Sequence, residues 1–92
     1  MKLVEPRKSV ERLDDIGIQR VYRFANGYGA SVVKGPYSYG GPNGLYELAV
    51  IKFYGDGDYE FKLNYDTPIT SDVIGHLTLD KVNEILDKIE KL

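Results

Sequence analysis

An α+β domain, with an antiparallel sheet of about four strands and a C-terminal helix packed on one face, is the fold class this sequence predicts. Three observations carry that prediction. Between residues 19 and 65 apolar side chains recur mainly with a period of two, the spacing of strands. Asn26-Gly27 and Gly55-Asp56-Gly57-Asp58 interrupt the stretch with the residues that hairpin turns require. After Thr78 the apolar spacing becomes helical and holds to Leu92. The boundaries follow: residues 1–18 form an N-terminal extension and residues 19–92 a single α+β domain.

The opening segment has Pro6 as an early breaker and Ser9 as a helix cap before Val10, Leu13 and Ile16. The spacing is compatible with one or two helical turns, or equally with a loosely held extension. From Gln19 the alternation starts, with Tyr22 and Phe24 on one side and Val21 and Arg23 on the other. Asn tolerates the left-handed region and Gly enters it freely, so Asn26 to Gly29 reverses the chain and pairs this strand with Ala30–Lys34. Gly35 to Gly44, with two prolines and four glycines, is an exposed loop. Leu45–Tyr54 is apolar on both faces except at Glu47 and Lys52, which predicts the central strand. Tyr59, Phe61, Leu63 and Tyr65 then alternate with polar residues until Asp66-Thr67-Pro68 closes the strand. Ile69 to Leu77 is a compact connector in which Thr70 or Ser71 caps a short turn.

Thr78 caps the helix, Asp80 sits in its first turn, and Leu79, Val82, Leu86, Ile89 and Leu92 form its apolar stripe. Glu84 with Lys88 and Asp87 with Lys91 are spaced for ion pairs one turn apart, and both lysines suit the negative end of the helix dipole. The stripe needs a partner, and the face carrying Tyr59, Phe61, Leu63 and Tyr65 is the expected one. The other face then keeps an apolar central strand and much of the aromatic surplus of eight tyrosines, which predicts an exposed aromatic patch of the kind partners use.

Composition narrows the function classes. At 42% hydrophobic and 28% charged residues the chain is neither a disordered tail nor a membrane protein. Twelve basic and fourteen acidic residues give a net charge of −2, too balanced for nonspecific binding to nucleic acid, which is not an expected partner. No cysteine is present, so disulfides, thiolate chemistry and Cys-based zinc sites are excluded. The first eight residues lack the apolar core of a secretory signal, which predicts an intracellular protein.

Neither a catalytic nor a metal site is expected. His76 is the single histidine, and although Asp66 and Asp72 are near it in sequence, no spacing selects a nucleophile and an orienting carboxylate. Asp56-Gly57-Asp58 lacks the longer pattern of a calcium loop and reads as turn chemistry. Gly27-Tyr28-Gly29 has two positions of a dinucleotide fingerprint, but Val32 stands in the third and no helix follows. The Gly/Tyr-rich stretch is better suited to contact: Tyr28, Tyr37, Tyr39 and Tyr46 are the expected aromatic anchors, with Asn26 and Glu47 as polar contacts. Stacking of a nucleotide base on Tyr28, Tyr37 or Tyr39 is the alternative use, with loop N–H groups meeting phosphate.

Asn26-Gly27-Tyr28-Gly29-Ala30-Ser31-Val32-Val33, Tyr37-Ser38-Tyr39-Gly40-Gly41, Gly44-Leu45-Tyr46-Glu47-Leu48-Ala49-Val50 and Tyr65-Asp66-Thr67-Pro68-Ile69-Thr70 carry a resemblance. From about Arg20 onward the chain resembles a family of short uncharacterised proteins of tailed bacteriophages and prophages. Gly75-His76-Leu77 and the helix from Leu79 complete the pattern, whereas the segment before Gln19 looks like an addition to it. The resemblance implies action by binding in the host bacterial cytoplasm: a non-enzymatic accessory protein that modulates a host protein, defence-related proteins included. A homo-oligomer that sequesters a nucleotide signal is the alternative. Neither reading requires a cofactor or a membrane.

Overall fold

The structure is a computed structural model and describes residues 7–14, 17–36, 41–70 and 73–92. Its elements run β1 (Arg7–Asp14), β2 (Gly17–Phe24), β3 (Tyr28–Lys34), a 3-10 turn at Gly41–Asn43, β4 (Tyr46–Phe53), β5 (Phe61–Leu63), β6 (Ile74–Leu77) and α1 (Leu79–Glu90). The α+β class with a C-terminal helix is as expected, but among the described residues the sheet has six antiparallel strands rather than about four. The order is β1-β2-β3-β4, after which the outer edge of β4 is shared, by β5 along Ile51–Phe53 and by β6 at Tyr46 and Leu48.

Both additional strands come from segments whose own pattern was too short to declare itself. Residues 7–14 pair with β2 from Arg7 opposite Phe24 to Asp14 opposite Gly17, so this part of the expected extension belongs to the sheet and is not helical. A helix of two turns is marginal in water, whereas the edge of β2 offers every other backbone group of this segment a partner. The connector before the helix likewise becomes β6, with one extra residue opposite β4. That irregularity coincides with His76, whose φ of 57° is in the left-handed region. The strand expected over Tyr59–Tyr65 is shorter, Phe61–Leu63.

The helix forms as its caps dictate. Thr78 is extended and its side chain accepts a hydrogen bond from the Lys81 N–H, and Val82, Leu86 and Ile89 are buried. It packs across β3, β4 and β6. Its core partners are Phe24, Ala30, Val32, Leu48, Val50 and Leu77. This corrects the expected packing, because Tyr59, Leu63 and Tyr65 stay exposed, and Phe61 packs in a separate cluster with Val10, Val21, Ile51 and Phe53. Since β4 is apolar on both faces, alternation in one strand cannot decide which face a helix takes; β3 and β4 together supply Ala30, Val32, Leu48 and Val50 at complete or near-complete burial.

The second face is not bare either. The β4–β5 loop, residues 54–60, is drawn onto it by Arg23, whose guanidinium donates to the carbonyls of Gly55 and Asp56 and lies 4.1 Å from the centroid of the Phe53 ring. Phe53 meets Phe61 edge to face at 5.6 Å.

Candidate functional site

The segment Asn26–Ser31 holds one aromatic anchor expected from sequence, Tyr28, and one expected polar contact, Asn26, and each residue in it has a structural task. The turn is closed by the Gly27 N–H donating to Phe24 O at 3.1 Å, with Gly27 at φ 86°, the arrangement of a three-residue hairpin loop. Asn26 is not left-handed, contrary to expectation; Gly27 alone takes that conformation in the turn. The Asn26 side chain is used instead. Its Nδ2 donates to Ile89 O at 2.9 Å, Leu92 O at 3.2 Å and Glu90 O at 3.3 Å, while its Oδ1 accepts from the Tyr28 N–H at 3.0 Å. One amide therefore ties the β2–β3 turn to the C-terminal end of α1, sharing Ile89 O with the Leu92 N–H and adding a donor for Glu90 O and Leu92 O.

Tyr28 is half-buried against the helix-side core, and the Lys52 ammonium sits 3.9 Å from its ring centroid. Gly29 admits no side chain: a Cβ there would lie 2.0 Å from Tyr22 O and 2.9 Å from the Phe53 ring. Ala30 is fully buried, and the Ser31 hydroxyl accepts from Gln19 Nε2 at 2.9 Å, with Gln19 in turn accepting from Arg12 at 2.5 Å.

The remaining expected anchors are not gathered around Tyr28. Tyr46 shares its side of the sheet, half-buried with the Lys34 ammonium 5.1 Å from its ring, but lies six residues along β4 from Lys52, the residue opposite Tyr28. At about 3.3 Å per residue that is about 20 Å. Glu47 points to the other side and is engaged in an interaction of its own. Tyr37 and Tyr39 lie outside the described residues, as do Ser71 and Asp72.

Two surfaces are supplied by residues not nominated as anchors. One is the set of large apolar side chains in and beside β5, where Tyr59, Leu63 and Tyr65 are 48%, 51% and 39% exposed around half-buried Phe61, Tyr59 reaching β1 with the Arg12 guanidinium 5.2 Å from its ring. Its alternation is legible in the sequence; its exposure is not. The other lies on the helix side, where Lys52 and Lys62 stand directly opposite one another on β4 and β5. The sequence signal there is Lys52, one of only two charges in the most apolar strand.

The expected helix ion pairs are also rearranged. Among the described residues the ion pairs are Lys81–Glu84 at 3.2 Å and Arg20–Glu11 at 2.6 Å, so Glu84 turns toward the helix start rather than to Lys88. The hydrogen bond that Arg20 donates to the Glu11 carboxylate raises the Arg20 pKa further above its already high usual value, and that guanidinium stays charged. His76 and Asp66 are both exposed. Among the described residues no three His, Asp or Glu side chains converge as a metal site would need, and no helix is long and apolar enough to cross a membrane. The chain matches no protein-family model, no curated protein and no solved structure.

Proposed function

We propose that this chain is a non-enzymatic phage accessory protein that binds and modulates a host protein in the bacterial cytoplasm. The observation that carries the reading is that three large apolar side chains in and beside β5, Tyr59, Leu63 and Tyr65, are left exposed while the helix closes the other side of the sheet. Tyrosine beside a large aliphatic side chain combines a flat apolar body with a polar tip, the make-up of the residues on which interface affinity concentrates. The phage resemblance supplies the biological setting. The Gly/Tyr loop, with Tyr37 and Tyr39, is the second contact segment of this reading.

Recovery of the tagged protein from infected cells, with quantification of what accompanies it, tests the proposal. Wild-type chain retains one host protein in stoichiometric amount, and a Tyr59→Asp/Leu63→Asp variant that still folds loses it. Equal recovery with that variant and with Tyr37→Ala/Tyr39→Ala would remove both surfaces from the reading. The same set of side chains also suits self-association. Light scattering that finds an oligomer in wild type and a monomer in Leu63→Asp assigns it to a second copy of this chain instead.

A further inference from the structure

A cleft of about 370 Å³ opens beside the last turn of α1, lined by Pro68, Ile69, Lys88, Lys91 and Leu92. That size lies within the range of small-molecule sites, about 300–1,000 Å³. Its lining divides into an apolar part and two ammonium groups. Lys88 and Lys91 are exposed and have no ion-pair partner among the described residues, while Asp87 and Glu90, the carboxylates of the same turn, are each engaged in an interaction of their own. Asp66, two residues before Pro68, is the other carboxylate near the cleft in sequence.

Two more lysines come up on the same side of the sheet, toward this end of the helix. The Asn26 amide fixes the β2–β3 turn against the carbonyls of Ile89, Glu90 and Leu92. The Lys52 ammonium lies over Tyr28, beside that turn, and Lys62 is its cross-strand neighbour. Lysines in the last turn of a helix are accounted for by the helix dipole. Lys52 and Lys62 are not, since they lie on strands, and like charges placed directly opposite one another destabilise a sheet. A sequence whose net charge is −2 thus keeps four lysines without carboxylate partners, among the described residues, around one end of its helix. The Tyr28 ring compensates the Lys52 charge in part, but two lysines set opposite one another with no carboxylate partner among the described residues still break a local rule, as functional positions do.

We propose that this end of the molecule binds a small phosphate-bearing ligand of the nucleotide class, its phosphates held by Lys88 and Lys91 of the cleft with Lys52 and Lys62 adding positive charge from the neighbouring strands, and its organic part resting on Pro68, Ile69 and Leu92. The site lies on the helix side of the sheet and is independent of the host-protein reading, which rests on the opposite side. Either can fail alone.

Calorimetric titration of the full chain with ATP, pyrophosphate and adenosine at low salt tests the site. ATP and pyrophosphate bind, adenosine binds far more weakly, and ATP is the tighter of the two phosphates. Lys88→Gln/Lys91→Gln and Lys52→Gln/Lys62→Gln each weaken ATP binding by roughly tenfold or more. Lys81→Gln, on the same helix but paired with Glu84, leaves it unchanged. Unaltered thermal melting of the glutamine variants ties the loss to charge rather than to folding. Absence of binding by both phosphates, adenosine binding as tightly as ATP, or equal weakening by Lys81→Gln would overturn the proposal.

Discussion

On one side of the sheet Phe24, Ala30, Val32, Leu48 and Val50 meet a helix that brings Val82, Leu86 and Ile89, whereas on the other Val21, Ile51 and Phe53 lie under a loop held down by arginine. The first closure is apolar and non-directional, and each large side chain it buries contributes about 1.5–3 kcal/mol. The second depends on hydrogen bonds from a half-buried guanidinium to backbone carbonyls, of which each adds about 0.5–1.5 kcal/mol net. Stability therefore resides mainly on the helix side. The loop side closes only in part and leaves Tyr59, Leu63 and Tyr65 at its margin, available to a partner.

The largest test of that contrast is Leu86→Ala, which empties a fully buried position between helix and sheet. It destabilises by about 2–5 kcal/mol in urea denaturation. A loss under about 1 kcal/mol would mean that the helix is not the principal closure. Next comes Asn26→Ala, which removes the side-chain tie between the β2–β3 turn and the end of α1 and leaves Ile89 O with the Leu92 N–H. A decrease of about 1–3 kcal/mol is expected, with faster hydrogen exchange confined to the last turn of α1.

Arg23→Ala sharpens the comparison from the other side. It lowers global stability by about 1–3 kcal/mol, the sum of its two hydrogen bonds. Limited proteolysis within residues 54–60 also accelerates, because the loop has lost its latch. If cleavage is unchanged, the arginine is not what holds the loop. The smallest effect belongs to His76→Gly, which relieves a left-handed backbone at the β6 irregularity. Thermal melts should show a gain of about 0.5–1 kcal/mol, the relief exceeding the conformational entropy that glycine adds to the unfolded chain. A loss instead would assign the imidazole a contact worth more than the strain.

Strand and helix periods, the glycine turns and the cap at Thr78 are local properties, and they sufficed to place β2, β3, β4 and α1 within a residue or two. The importance of Asn26-Gly27 was legible for the same reason, but its role was not. An asparagine before a glycine looks like a left-handed turn residue; that its amide reaches carbonyls more than sixty residues away depends on where the helix ends in space. Tyr28 and Tyr46 were legible as aromatic and well placed to anchor, yet their separation along β4 follows from the register of two strands. The lysine-bearing end of the molecule was hidden because Lys52, Lys62, Lys88 and Lys91 come from three segments, and the helix pair offers Lys88 a nearer partner that the folded helix gives to Lys81.

By itself the sequence determined the fold class and the identity of its central strand and helix, since propensity, capping and alternation act over a few residues. Only the tertiary structure decided which face the helix covers and what becomes of residues 7–14 and 74–77. With β4 apolar on both faces the choice rests on the combined shape of β3, β4 and β6. A short segment with an ambiguous pattern becomes a strand when a neighbouring strand edge satisfies its backbone hydrogen bonds.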